Sequence, residues 1–108
     1  MSATINGNNI ALTRGDTLRL EVEILDESGE IYTPGAGDVV RFAMKRFYSD
    51  AAVTLEKIIT DGVLLIEPAD TKGLPFGTYF YDIQLTTAAG VVDTFIPRAT
   101  FEILSEVD

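Results

Sequence analysis

Between Gly77 and Phe95 the apolar residues fall two apart, stop at a polar turn, and resume in a second extended run. A period of two is the signature of a strand: Tyr79, Tyr81, Ile83 and Leu85 share one face, and Phe80, Asp82, Gln84 and Thr86 the other. The first set suits a core and the second is mostly polar, which predicts a hairpin in a sheet buried on one side. The same alternation recurs at Leu18, Leu20, Val22 and Ile24, separated by Arg19, Glu21 and Glu23, and again at Val40, Phe42 and Met44, separated by Arg41 and Ala43. Leu20, Val22, Phe42, Tyr81 and Ile83 are therefore expected to meet in one core.

Turn chemistry divides these runs. Ile5, Ile10 and Leu12 mark a weak first strand, placed at a sheet edge, that crosses Asn6-Gly7-Asn8-Asn9, residues tolerant of positive φ. Arg14-Gly15-Asp16, the polar run 26–30 and Pro34-Gly35-Ala36-Gly37-Asp38 read as further turns. The stretch from Val53 to Ile59 fits neither period, leaving a short strand and a helical turn both open. Asp61-Gly62 is a strong two-residue turn signal and predicts a hairpin joining the segments on either side. From Pro68 to Gly77 the chain is too rich in Pro and Gly for a strand interior. Asp70 is placed there as the N-cap of one helical turn closed by Gly73, with Leu74 turned to the core. Tyr79 then sits early in its strand, where its hydroxyl can bond back to backbone near residues 70–74. The last strand runs from Val91 toward Leu104, and Pro97 within it predicts a bulge or an edge position. The sum is one all-β domain spanning 1–108, an Ig-like antiparallel β-sandwich of about seven to eight strands with at most a short helical turn near residues 70–73.

Composition narrows the chemistry. A chain of 108 residues can bury one core without staples, and it contains neither Cys nor His. Disulfides and thiolate metal sites are thus excluded, and the commonest general base is missing. Seventeen acidic residues stand against eight basic ones, for a net charge of −9. The eight Lys and Arg are scattered along the sequence from Arg14 to Arg98, so nucleic acid is not expected as a partner. Self-association of so acidic a chain is expected to strengthen with salt, which screens like charge. No apolar stretch approaches the roughly 20 residues of a membrane span, and the first residues have neither a basic nor an apolar leader region, so neither membrane insertion nor export is expected.

Each candidate chemical group has a plainer reading. Arg14-Gly15-Asp16 spells an integrin-binding tripeptide but reads as a turn before a strand. Asp26, Glu27 and Glu30 could offer hard oxygens to Ca²⁺, yet no twelve-residue loop pattern follows. Asp61, Glu67 and Asp70 are explained by turn and cap roles. Gly35-Ala36-Gly37 is a loop pair, not a phosphate cradle. Tyr79, Phe80 and Tyr81 could form a platform for sugar rings, but alternation turns two of the three inward. No catalytic, cofactor-binding or metal-ligating residue is assigned, no cofactor is expected, and the chain does not read as an enzyme. The alternative from another class is a free-standing module that binds a glycan or calcium.

Three strings carry a family resemblance: Ile10-Ala-Leu-Thr-Arg-Gly-Asp-Thr-Leu-Arg-Leu20, Gly37-Asp-Val-Val-Arg-Phe-Ala-Met-Lys45 and Gly77-Thr-Tyr-Phe-Tyr-Asp-Ile-Gln-Leu-Thr86. Their Gly-Asp turn into the second strand, Gly-Asp lead into the Phe-bearing strand, and Gly-x-Tyr-x-Tyr-Asp-Ile-Gln strand resemble small phage and prophage proteins similar to the N-terminal Ig-like domain of tailed-phage upper baseplate proteins. The resemblance covers most of the chain from Ile5 to Leu104. It implies a structural protein of a virion or prophage that assembles in the bacterial cytoplasm and then resides in the tail or baseplate. Its implied partners are other tail and baseplate proteins and further copies of itself, met through one face or edge of the sandwich.

Overall fold

The computed structural model describes residues 4–6, 8–25 and 28–105, and over these the chain is all-β with one short helix. In order come β1 (Thr4–Asn6), β2 (Asn9–Thr13), β3 (Leu18–Glu21), β4 (Ile24–Leu25), β5 (Ile31–Tyr32), β6 (Val39–Lys45), β7 (Leu55–Ile58), β8 (Val63–Ile66), helix α1 (Pro68–Lys72), β9 (Gly77–Thr86) and β10 (Val92–Leu104). Ten strands replace the expected seven to eight, partly because the alternating run from Leu18 to Ile24 is cut at Val22 and Glu23. The Val22 N–H makes one bond beyond the assigned β3–β8 pairs, to the Gly62 carbonyl at 2.7 Å, before the chain turns to β4.

Six strands form one sheet in the order β1-β2-β10-β9-β6-β7, while β3 pairs β8 and β4 pairs β5 in two-stranded ribbons. The β3–β8 ribbon lies over one face of the large sheet. Leu18, Leu64 and Ile66 from the ribbon share one core with Phe42, Met44, Tyr79, Tyr81, Phe101 and Ile103 from the sheet. Alternation along β6 and β9 is as the sequence predicts, with Val40, Phe42 and Met44 and then Tyr79, Tyr81, Ile83 and Leu85 all buried. Leu20 and Val22 are packed against this core but only partly buried. A hollow of about 260 Å³ remains between them and Tyr81, where the broken strand fails to seal the layers.

Four further expectations are corrected. The sandwich is not wholly antiparallel: β2 runs parallel to β10, with Ile10 opposite Phe101 and Leu12 opposite Ile103. That register puts all four apolar side chains into the core. Of the two readings of Pro97, the bulge holds: β10 lies between β2 and β9, and its ladder with β9 shifts register between Thr94 and Ile96 and between Ile96 and Ala99. The single weak first strand expected over Ile5, Ile10 and Leu12 is two: β1 lies at an edge, but β2, which carries Ile10 and Leu12, is interior between β1 and β10, and β7 forms the other edge.

Asp61 and Gly62 make the expected turn with φ of 54° and 73°, but the hairpin ends after a single bridge between Thr60 and Val63. From there β7 joins β6 and β8 crosses to β3, because Leu64 and Ile66 must face the large sheet from the opposite layer. In α1 the N-cap is Glu67 rather than Asp70. Pro68 takes the first helical position, where its missing N–H costs nothing. Asp70 is the third helical residue and accepts from the Glu67 N–H at 2.8 Å. Gly73 closes the helix as expected.

Candidate functional site

The residues singled out by sequence resolve into supports for the fold. Gly15, at φ +84°, lets the Arg14-Gly15-Asp16 turn reverse, and its N–H donates to Oγ1 of the fully buried Thr71 at 2.8 Å. The Arg14 guanidinium lies 4.1 Å from the centre of the Phe76 ring and donates to the Leu74 carbonyl. The tripeptide is thereby fastened to the helix that follows β8. Asp70 binds Lys57 of β7 at 3.0 Å with both side chains mostly buried, while Asp61 occupies its turn. Asp61, Glu67 and Asp70 therefore act as turn and helix-start groups. Asp26 and Glu27 of the calcium candidate lie outside the described residues; Glu30 is exposed, and among the described residues no group of three metal-ligating side chains occurs.

Tyr79 fills the corner before β9, with its ring buried and its hydroxyl donating to the Pro75 carbonyl at 2.8 Å, one residue beyond the segment expected. Burial raises its phenol, and the Arg46 guanidinium, 4.9 Å from the ring centre, opposes that shift. Tyr81 packs between Phe42 and Phe101 and donates its hydroxyl to the Asn8 carbonyl; burial pushes its phenol up to about 12. Neither ring is available to a ligand.

The loop pair Gly35-Ala36-Gly37 serves Asp38. The Asp38 carboxylate accepts from the Tyr32 hydroxyl at 2.5 Å and from the Gly35 and Ala88 N–H groups at 3.0 Å each. One side chain so ties β5, the loop before β6 and the β9–β10 turn together. The Tyr32 hydrogen bond, followed by the two backbone donors, lowers the Asp38 carboxyl below its ordinary value, and the same bond raises the Tyr32 phenol.

Two surfaces escape a linear reading of the chain. On the face of the large sheet turned away from the core, β6 presents Arg41, Ala43 and Lys45, and β9 presents Phe80, Asp82 and Gln84, lining a hollow of about 520 Å³. Tyr48, from the loop after β6, stacks on Phe80 with ring centres 4.1 Å apart, and the guanidinium of Arg98 lies 3.9 Å from the centre of the Tyr48 ring. Arg98 reaches the hollow from the irregular part of β10, where bulging re-aims side chains. Three basic residues that the sequence scatters thus meet in one place. Arg41 is paired with Glu56, and Lys45 donates to the Asp50 carbonyl at 2.7 Å. Among the described residues, the side chains of Arg98 and Asp82 carry no hydrogen bond or ion pair. The available signal was the spacing of Arg41 and Lys45, which period two puts on one face.

The second surface is an apolar groove of about 590 Å³ between the β4–β5 ribbon and the neighbouring ends of β6 and β7. Ile31 is 64% exposed there, Ile58 55% and Val39 43%. Three large aliphatic side chains left this open line one groove beside the edge strand β7, unlike isolated surface apolar residues. No family model and no curated protein sequence matches the chain.

Proposed function

We propose that this chain is a non-enzymatic structural subunit, a tail or baseplate component of a phage or prophage particle that works by binding neighbouring proteins. The observation that carries this reading is the groove lined by Ile31, Val39 and Ile58 beside the β7 edge. Aliphatic surface of this kind costs solubility in a free monomer and is stabilising once a partner covers it. The three motifs that resemble baseplate Ig-like domains fit the same role. In this chain they build turns and core strands, a scaffold for presenting a surface. Assembly would take place in the bacterial cytoplasm, with the particle as final location.

The second reading, a glycan- or calcium-binding module, draws on Tyr48 and Phe80 outside the core. It is the weaker because Tyr48 and Phe80 are tilted 45° to each other and so form no flat platform for a sugar. The test is sedimentation and co-purification with tail proteins encoded beside this one. A subunit of this kind should form a complex burying at least ~1,000 Å², and Ile58→Asp should weaken it. A protein that binds neither its own copies nor any of those tail proteins would overturn the reading in favour of the ligand module.

A further inference from the structure

The hollow on the outer face of the large sheet has the chemistry of a carboxylate receptor. The Arg98 guanidinium carbon lies 3.9 Å from the centre of the Tyr48 ring, a cation–π contact that consumes none of its N–H donors. A planar fork with its donors free binds a carboxylate in two parallel hydrogen bonds. Lys45 lines the same hollow and has donors to spare after its single bond to Asp50. Against these stands one carboxylate, Asp82, so the hollow is locally positive in a chain of net charge −9.

We infer that this hollow receives the acidic outer face of the β3–β8 ribbon of a second copy of the chain, through Glu21 and Glu23. The inference rests on the assembly reading above and supplies one contact for it. Glu21 and Glu23 are both exposed, Glu21 at the end of β3, alternating with Leu18 and Leu20, and Glu23 just beyond it where the strand is broken. Arg19 shares the Glu21 face of β3, and the two glutamates still leave this surface negative. Leu65, exposed on the neighbouring strand of the ribbon, offers apolar surface to Tyr48 and Phe80. The hollow and the ribbon lie on opposite sides of the large sheet, so a single twofold contact cannot seat each on the other. The complementary contact is head to tail, front of one subunit to back of the next, a geometry that generates rings or open stacks.

This segregation of charge reverses the salt response expected from net charge alone. Above about 0.1 M salt the Debye length is ~10 Å, shorter than the smallest 22 Å dimension of the molecule. Repulsion between whole molecules is then already screened, whereas the ion pairs at contact continue to weaken as salt rises. Sedimentation of the full chain at increasing concentration, in about 0.1 and about 0.5 M salt, should therefore show association that is weaker at the higher salt. Arg98→Glu should reduce it at least tenfold, and Arg98→Gln with Lys45→Gln, which removes the charges without reversing them, should reduce it in part. Mixing Arg98→Glu with a Glu21→Arg/Glu23→Arg variant should restore hetero-association that neither forms alone. A monomer at all concentrations, or association that Arg98→Glu and Arg98→Gln leave unchanged, overturns the inference. Association that survives Arg98→Glu but is lost with Ile58→Asp removes this contact and leaves the assembly reading standing. So does a monomer that still binds a tail protein.

Discussion

The Tyr32 hydroxyl lies 2.5 Å from Asp38 Oδ2, and the other oxygen of that carboxylate holds the Ala88 N–H fifty residues away in sequence. The bond lowers the Asp38 carboxyl and raises the Tyr32 phenol, so it contributes at both ends of the pH range. Asp38 stabilises the fold above the ordinary aspartate pKa of about 3.9, and that contribution is lost as pH falls through its lower folded value. Tyr32 contributes below pH of about 10, and its contribution disappears as pH rises through its raised folded value. Urea midpoints at pH 7, 4 and 3 should fall less steeply on acidification for Asp38→Asn than for the parent chain. Parallel curves would show that this carboxylate does not couple the three segments.

Phe42 is fully buried, with its ring centre 5.1 Å from Tyr81 and 6.1 Å from Phe101. Truncation to Ala should leave a cavity between the two layers and cost roughly 3–5 kcal/mol. The measurement is equilibrium unfolding in denaturant, with an unchanged slope showing that only stability has moved.

At the corner before β9 the predicted cost is smaller. Tyr79→Phe keeps the buried ring and deletes only the donor to Pro75. Pro75 is itself exposed, so its carbonyl can turn to water. The loss should be about 1 kcal/mol, the net worth of one hydrogen bond. A difference of several kcal/mol would mean that the corner carries more than this bond.

Gly77 has φ of +133°, and the Arg46 guanidinium packs where its Cβ would stand. Gly77→Ala should cost roughly 1–3 kcal/mol through backbone strain. Repeating the substitution in an Arg46→Ala background separates the two causes: the crowding is removed there and the strained φ is not, so most of the cost should remain. Full rescue would assign the effect to crowding alone.

Apart from tyrosine, Thr71 is the only polar side chain fully buried among the described residues, and it serves the Gly15 N–H. Thr71→Val keeps its shape and removes that acceptor. A loss of about 1–3 kcal/mol is expected, with faster hydrogen exchange at Gly15 as the local signature.

Strands whose side chains alternate cleanly were legible in the sequence, since Phe42 and Tyr81 bury themselves by period alone. The identity of the neighbouring strand was not. Asp61-Gly62 has the residues of a hairpin turn and makes the turn, yet the partner of β8 is decided by Leu64 and Ile66 seeking the far layer, a tertiary preference that local chemistry does not carry. Asp70 was misplaced by three residues because Glu67 is a poor N-cap by type, and Asp70 reaches back to it from the third helical position. The hollow around Arg98 was invisible for a similar reason. It depends on β10 lying next to β9 and on an irregular stretch that aims one side chain, while Arg41 and Lys45 arrive from a strand more than fifty residues earlier.

The parallel union of β2 with β10 also dictates the order in which the molecule can be completed during synthesis. Ile10 must wait for Phe101, so the first strands emerge from the ribosome long before the surface that shelters them exists. Since β10 also forms one entire flank of β9, the large sheet cannot assemble progressively from the N-terminus. Contacts this distant along the chain close late and slowly. The nascent chain therefore exposes Ile10 and Leu12 until Phe101 and Ile103 are made, and a chain halted before them would hold an unfinished sheet, open to proteases and chaperones.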